Sequence, residues 1–181
     1  MKYLLEDQET ERLHFRLVTW DDFDSWLELF KVDGVAGFLG LEKIQTPEEQ
    51  CQLWFEKIFY RYENNLGGNN ALIDKKTNEM IGQSGLLVQD VDDVLELEVS
   101  YSILPKHWNK GYATEAAQKC RDFGFENSYA DSLISIIHVD NIRSEKVARH
   151  NGMKPSKKAA FKDMPVNVFR ITKYDWKNNI K

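Results

Sequence analysis

The sequence predicts an α/β (α+β) fold, a mixed sheet of about seven strands carrying about four helices, and three observations lead there. Three strand-like runs follow one another across short turn-like joints, the pattern of an antiparallel meander. A strand, an alanine-rich helix and a second, almost wholly apolar run come next in order, the pattern of a parallel crossover. A last pair of strand-like runs folds back around Lys162 to Pro165.

Taken in chain order, Leu13 to Thr19 alternates as a first strand. Asp21 or Asp22 suits the cap of a following helix, on which Phe23, Trp26, Leu27 and Phe30 share an apolar face. Gly34, Gly37 and Gly40 break regularity and predict an irregular connection. Thr46, Pro47 and Glu49 form a capping box with proline in the first turn, so a second helix starts there and buries Cys51, Trp54, Phe55, Ile58 and Tyr62. Asn64 to Asn70 reads as its end. The meander is then Ala71–Lys75, Met80–Gln89 and Val94–Leu104. In its third strand Leu95, Leu97, Val99, Tyr101 and Ile103 share one face, while Glu96, Glu98, Ser100 and Ser102 share the other.

Past Gly111, the residues Ala113, Ala116, Ala117, Cys120 and Gly124 give a helix a narrow face that packs close to a sheet. Leu133–Val139 is the doubly covered strand. Asn141 caps a helix running from Ile142 to about Asn151, stopped by Gly152. Lys157–Phe161 and Val166–Tyr174 close the chain as a hairpin.

The 181 residues suit a single domain, 1–181, with no internal repeat or linker. Twenty-four basic against 29 acidic residues give a net charge of −5 without a basic block, which argues against a nucleic-acid binder. The amino terminus lacks a secretory pattern, and no run approaches the ~20 apolar residues that span a bilayer, so no membrane partner is expected. Cys51 and Cys120 lie in helical patterns without metal spacing, and the four histidines are scattered. This points to free thiols in a reducing cytoplasm and to no metal.

The chemistry concentrates where the third strand of the meander meets the alanine-rich helix, across Tyr101 to Ala117. A strand that stops at Pro105, a loop with one glycine and a helix start aim several backbone N–H groups and a positive dipole end at one spot, which suits an anion. The loop is neither a P-loop nor a dinucleotide fingerprint, because Lys110-Gly111 has the reverse order and one glycine stands alone.

The stretch from Glu98 to Ala116 resembles the acetyl-CoA signature of the GCN5-related N-acetyltransferases (GNAT superfamily), most of all the RimJ/RimL-like branch. The family pattern [RQ]-x-x-G-x-[GA] falls on Trp108, Asn109, Lys110, Gly111, Tyr112 and Ala113. Asn141-Ile-Arg-Ser144 with Gly152-Met153 resembles the branch's later segment, and Glu9 to Arg16 resembles its first strand. The matches run from about residue 9 to 174, nearly the whole chain. Trp108 stands for Arg or Gln, Asn109 for a glycine and Met153 for Phe; the tyrosine many relatives use as general acid falls on Ala148.

The resemblance implies the GNAT fold, with Val94–Leu104 and Leu133–Val139 as a splayed parallel pair at the acetyl-CoA site. It implies that Ile103, Trp108, Asn109, Lys110, Gly111, Tyr112, Ala113, Thr114, Asn141 and Ser144 bind acetyl-CoA as co-substrate, the N–H groups from Asn109 to Thr114 on the pyrophosphate. Ser144 would also protonate the leaving thiolate, Glu98 would be the base, with Glu96 second, and an N–H near Val99 to Tyr101 would hold the oxyanion. The implied activity is N-acetylation of a primary amine by direct attack, the acceptor being a protein N-terminus of the ribosomal-protein type or a small amine such as a polyamine, amino acid or antibiotic. A non-catalytic acyl-CoA-binding module is the non-enzyme alternative. The implied assembly is a monomer or homodimer.

Overall fold

The computed structural model describes residues 2–44 and 46–179. Seven strands form one sheet in the order β1-β2-β3-β4-β5-β7-β6. They are β1 (Leu13–Leu17), β2 (Gly67–Asp74), β3 (Met80–Asp90), β4 (Leu95–Ile103), β5 (Ser132–His138), β6 (Lys154–Phe161) and β7 (Met164–Thr172). Every pairing is antiparallel except β4 with β5. The helices are α1 (Phe23–Phe30), α2 (Val35–Phe38), α3 (Pro47–Glu63), α4 (Tyr112–Glu126), α5 (Ile142–His150) and α6 (Lys173–Asn179). No helix of the described residues is long and apolar enough to cross a membrane.

The sheet carries an apolar core on each face, and the period-two alternation of its strands decides which side chain enters which. Leu72 joins the core that contains Ala116, Ala117 and Cys120 of α4, whereas its neighbours Ala71 and Ile73 join the core of Trp26 and Phe30 from α1 and Phe55 from α3. The small face of α4 works as expected: a Cβ on Gly124 would come within 3.2 Å of Leu133 and 3.3 Å of Leu86. The capping box at Thr46 is present, Glu49 N donating to Thr46 Oγ1 and Thr46 N to Glu49 Oε2, both at 3.2 Å.

Four expectations are corrected. A 3₁₀ turn, Trp20–Asp22, precedes α1, and Asp22 stands at the N-cap position of α1 without a side-chain cap bond to that helix. It is buried, accepts from Thr19 N at 2.9 Å and pairs with Arg16 at 2.6 Å. The connection around Gly34 to Gly40 contains the single turn α2, with Gly34 (φ 79°) and Gly40 (φ 70°) left-handed at its two ends.

Gly67 to Asn70 begins β2 and is not a helix end. The segment is fully buried and pairs with β3, and a Cβ on Gly68 would stand 2.7 Å from the Tyr62 ring, one on Gly85 2.0 Å from the Gly68 carbonyl. Close approach, which low strand propensity hides, is what selects glycine there. The last strand stops at Thr172, two residues short of Tyr174, because Thr172 Oγ1 accepts from Asp175 N at 3.0 Å and starts α6. Trp176 Nε1 then ties α6 to Asp122 at 2.7 Å.

Candidate active site

The parallel pair β4/β5 is in register at one position only, Glu98 opposite Ile134. Beyond it the strands part, and side chains meet the backbone groups that the missing ladder frees. Ser135 Oγ donates to the Val99 carbonyl at 2.8 Å, and Tyr101 Oη donates to the Ser144 carbonyl of α5 at 2.8 Å. On the other edge of β4, Leu104 N donates to Ile81 of β3 at 2.9 Å. Strand alternation therefore turns the N–H groups of Tyr101 and Val99 toward the fork.

Glu98 sits at the base of this fork and is 9% exposed. Its Oε2 accepts from Gln89 Nε2 at 2.7 Å, and its Oε1 lies 3.4 Å from Ile136 N. Burial pushes its pKa above the ordinary carboxylate value; the Gln89 and Ile136 hydrogen bonds, then the charges of Lys162 and Arg61, pull it back only in part. Glu96, two residues away on the same face, is engaged elsewhere: both its oxygens take the Arg170 guanidinium, the shorter contact being 2.5 Å.

The loop after β4 is held from three sides. Trp108 Nε1 donates to the Ile103 carbonyl at 2.6 Å, and the Arg143 guanidinium lies 4.5 Å from the Trp108 ring. Arg12, at the edge of β1, donates from Nη1 to the Lys110 carbonyl at 2.9 Å and from Nε to Glu115 at 2.6 Å, and covers the Tyr112 ring at 4.2 Å. Asn109 (φ 61°) and Gly111 (φ 83°) are left-handed, a conformation that asparagine tolerates and glycine adopts freely. Among the described residues the first N–H of this turn with a protein partner is that of Glu115, which donates to the Gly111 carbonyl at 3.1 Å; those from Asn109 to Thr114 have none, as at any helix start. A Cβ on Gly111 would meet only Arg12 Nη2, at 3.4 Å. The loop is thus a concave set of donors that fits a diphosphate.

Two cavities of about 480 Å³ each open from the fork. One is lined by Ile103, Trp108, Asn109, Gly111, Tyr112, Ala113 and Thr114, with Arg143, Lys146 and His150 of α5 on its far wall. The other is lined by Glu98, Ser135, His138, α3 residues and the β6–β7 turn. Phe38, Leu39, Tyr101, Ser102, Asn141 and Ser144 line both, so these six form the shared wall.

Of the residues singled out in the sequence, Glu98 and the loop residues converge on this pair of cavities, but Lys110 lines neither. Asn141 both lines them and caps α5, its Oδ1 accepting from Ser144 N at 3.1 Å. Ala148 is wholly buried in the core and leaves no room for a phenol. Arg12, the Tyr101 hydroxyl and the α5 cations border the candidate site without having been singled out from the sequence, where only the backbone N–H near Tyr101 was expected to act. The spacing of Arg143, Lys146 and His150 on one helix face was the available signal; Arg12 gave none, lying about a hundred positions from the loop it clamps.

Residues 12–154 match the family described as the acetyltransferase (GNAT) domain. The uncharacterized protein YkkB of Bacillus subtilis is 33% identical over 102 residues, 56% of this chain; the chain spans 59% of that relative's length. The uncharacterized N-acetyltransferase YoaA of the same organism is 25% identical over 81% of both chains. Among solved structures, an acetyltransferase from Agrobacterium tumefaciens superposes with a TM-score of 0.75 at 23% identity, over 94% of this chain and 96% of that one. RimL, a ribosomal L7/L12 α-N-protein acetyltransferase in complex with coenzyme A, gives 0.69 at 13%, over 92% and 97%. Spermidine N-acetyltransferase from Vibrio cholerae, in complex with CoA and spermine, gives 0.70 at 15%, over 93% and 100%. The family match, which covers most of the chain and includes both the fork and the donor loop, establishes that this protein belongs to the GNAT acetyltransferases.

Proposed function

We propose that the protein transfers the acetyl group of acetyl-CoA to a primary amine, and that the two cavities meeting at one wall divide the substrates between them. That shared wall carries the proposal: it separates an anion-binding loop from a buried carboxylate by the width of the fork. Acetyl-CoA supplies the acetyl group as an activated thioester; everything else is work for the chain's own side chains and backbone.

On the cofactor side, the open N–H groups from Asn109 to Thr114 receive the pyrophosphate, and the cations of Arg143 and Lys146 add charge. Asn141 and the parted edge of β4 line the path of the pantetheine arm. On the acceptor side, an ammonium must lose its proton before the nitrogen can attack, and Glu98 takes it. A carboxylate whose pKa is raised by burial is a stronger base than an exposed one, which suits it to that step. The Tyr101 N–H, turned into the fork, stabilises the developing oxyanion. Ser144, on the shared wall, returns a proton to the departing thiolate.

The acceptor is a protein N-terminal amine or a small-molecule amine. RimL and spermidine N-acetyltransferase superpose on this chain about equally well, so overall fold does not choose between them; the acceptor-side lining does. The test is thiol release from acetyl-CoA across a panel of peptides and small amines, with mass detection of the acetylated product. Product with at least one primary amine is expected, and tight CoA binding without turnover across the panel would overturn the reading.

A further inference from the structure

The acceptor-side cavity is lined by three cations from separate parts of the fold. Lys57 and Arg61 stand one turn apart on α3, and Lys162 lies in the turn between β6 and β7. None has a carboxylate within ion-pairing distance among the described residues, although the chain makes ion pairs elsewhere, Lys157 with Asp92 at 2.6 Å for example. Asp163, next to Lys162, is turned to Lys43 at 3.3 Å.

Arg61 Nη2 donates to the carbonyls of Leu66 and Val88, at 2.8 and 2.5 Å, which fixes the guanidinium and leaves Nη1 without a protein acceptor among the described residues. Two acidic side chains share the cavity. Glu56 accepts from Gln52 at 2.8 Å, and Glu98 is buried at the fork, where it accepts from Gln89 at 2.7 Å and stands outside ion-pairing distance of the three cations.

Partial desolvation by the cavity walls lowers the pKa of Lys57; the same effect, then the charge of Lys57 and to a lesser degree that of Arg61, lowers that of Lys162 against an opposing pull from Glu98. Like charges gathered around one cavity repel each other, and a bound counter-ion relieves them. We infer that Lys57, Arg61 and Lys162 form an anion subsite, so that the acceptor is a small amine that also bears an anionic group, and not a polyamine. This rests on the acetyltransferase reading above.

The two ends of such a molecule have separate places. The amine lies toward Glu98 and the shared wall, the anion toward the α3 cations and the hairpin turn. Arg61 and Lys162 are near enough for their charges to act on Glu98, and a cavity of about 480 Å³ holds a molecule of amino-acid size that spans both. A diamine would put its second cation against the three already there.

The test compares acetyl transfer to the common amino acids, to their C-terminal amides, to aminoalkyl phosphates and to linear diamines. Wild type, Lys57→Gln, Lys162→Gln and the double variant are used; both lysines are exposed at the surface of the cavity, and circular dichroism checks that the variants fold. Anionic amines should exceed their matched neutral forms in kcat/KM by roughly tenfold or more, the scale of a charge-assisted contact. The double variant should lose that advantage; any change it makes through the charge felt by Glu98 falls on amides and anionic amines alike, so the ratio of their kcat/KM values is the readout. Whether carboxylates or phosphates gain more identifies the anion.

Calorimetric binding of the same amino acids to the CoA-loaded protein is measured in parallel. If amides or diamines react as well as anionic amines, or no anionic amine binds or reacts, the subsite is overturned while the transferase can stand. If anionic amines bind in a lysine-dependent way without turnover, the subsite stands and the transferase reading falls.

Discussion

Replacing Glu98 with Gln separates a base from a merely buried carboxylate. The side chain is nearly isosteric, so the cavity keeps its shape, and the amide oxygen can still accept from Gln89 Nε2 at 2.7 Å. The amide nitrogen then faces Ile136 N, which makes only a long contact of 3.4 Å to the native carboxylate. A general base contributes on the order of 10²–10⁴ in rate, so kcat should fall by that factor, about 3 to 5 kcal/mol of barrier. CoA affinity should stay the same, because Glu98 lines the acceptor-side cavity and not the cofactor side.

The pH dependence carries a sign of its own. Burial raises the folded-state pKa of Glu98 above its unfolded value. Between those two values the folded chain holds more protons than the unfolded one, so wild-type stability falls as pH rises through that window. The wild-type rate rises through the folded pKa as the base ionises.

Glu98→Gln cannot ionise and should lose both effects. At neutral pH it gains about 1.4 kcal/mol for each unit of the displacement, offset by about 1 kcal/mol for the amide nitrogen left facing Ile136 N. Steady-state kinetics against pH and thermal melts against pH read the two halves independently. An unchanged kcat and pH–rate profile would refute Glu98 as the base. A large loss of Tm at neutral pH, with the pH trend of wild type retained, would refute the desolvation argument.

Three further substitutions probe the frame around it. Ser144→Ala should lower kcat by about a hundredfold, the low end of what a proton donor contributes. Its Tm should shift little, because the α5 cap uses the Ser144 backbone N–H and the Asn141 side chain; a kcat equal to wild type would remove Ser144 from the proton path. Gly111→Val forces a β-branched residue to φ 83°, costing about 1–2 kcal/mol, and calorimetry should show CoA binding weakened about tenfold; unaltered affinity would mean the left-handed turn does not form the phosphate seat. Gly85→Ala places a Cβ 2.0 Å from the Gly68 carbonyl between two buried strands. It should destabilise by about 3 kcal/mol or more in denaturant melts, and a stable variant would show that the β2–β3 contact has slack.

What the sequence disclosed was mostly local backbone chemistry. Thr46 with Glu49, Asn141 ahead of α5 and Gly111 before α4 each declare a helix end through their own side chain or its absence, and each stands where that chemistry put it. The alternation of β4 likewise separated Glu98 from Val99. What alternation does not disclose is the cover over a polar face. Glu96 and Glu98 are equivalent in the pattern, yet one meets Arg170 and the other is buried beneath Gln89.

The strand of Gly67 to Asn70 was hidden for a related reason. Glycine and asparagine disfavour strands on their own, and only the neighbours that demand close approach make them suitable. Lys57 and Arg61, four apart on α3, did advertise a common face, but the third cation arrives from a hairpin about a hundred residues later.

The missing tyrosine at Ala148 sharpens the assignment of the proton donor. Ala148 is wholly buried in the core, so its own side chain supplies no hydroxyl in place of that phenol. The hydroxyls on the shared wall belong to Tyr101, Ser102 and Ser144. Tyr101 already directs its proton to the Ser144 carbonyl at 2.8 Å, and burial raises its pKa, so it is committed as a structural donor. Ser102 stands on β4 with the residues facing the acceptor side. Ser144, in the first turn of α5, is the hydroxyl we propose as the donor on the cofactor side. The Tyr101–Ser144 hydrogen bond joins β4 to α5 across the parted strands, so in the proposed mechanism the strand that opens the fork also places the proton donor.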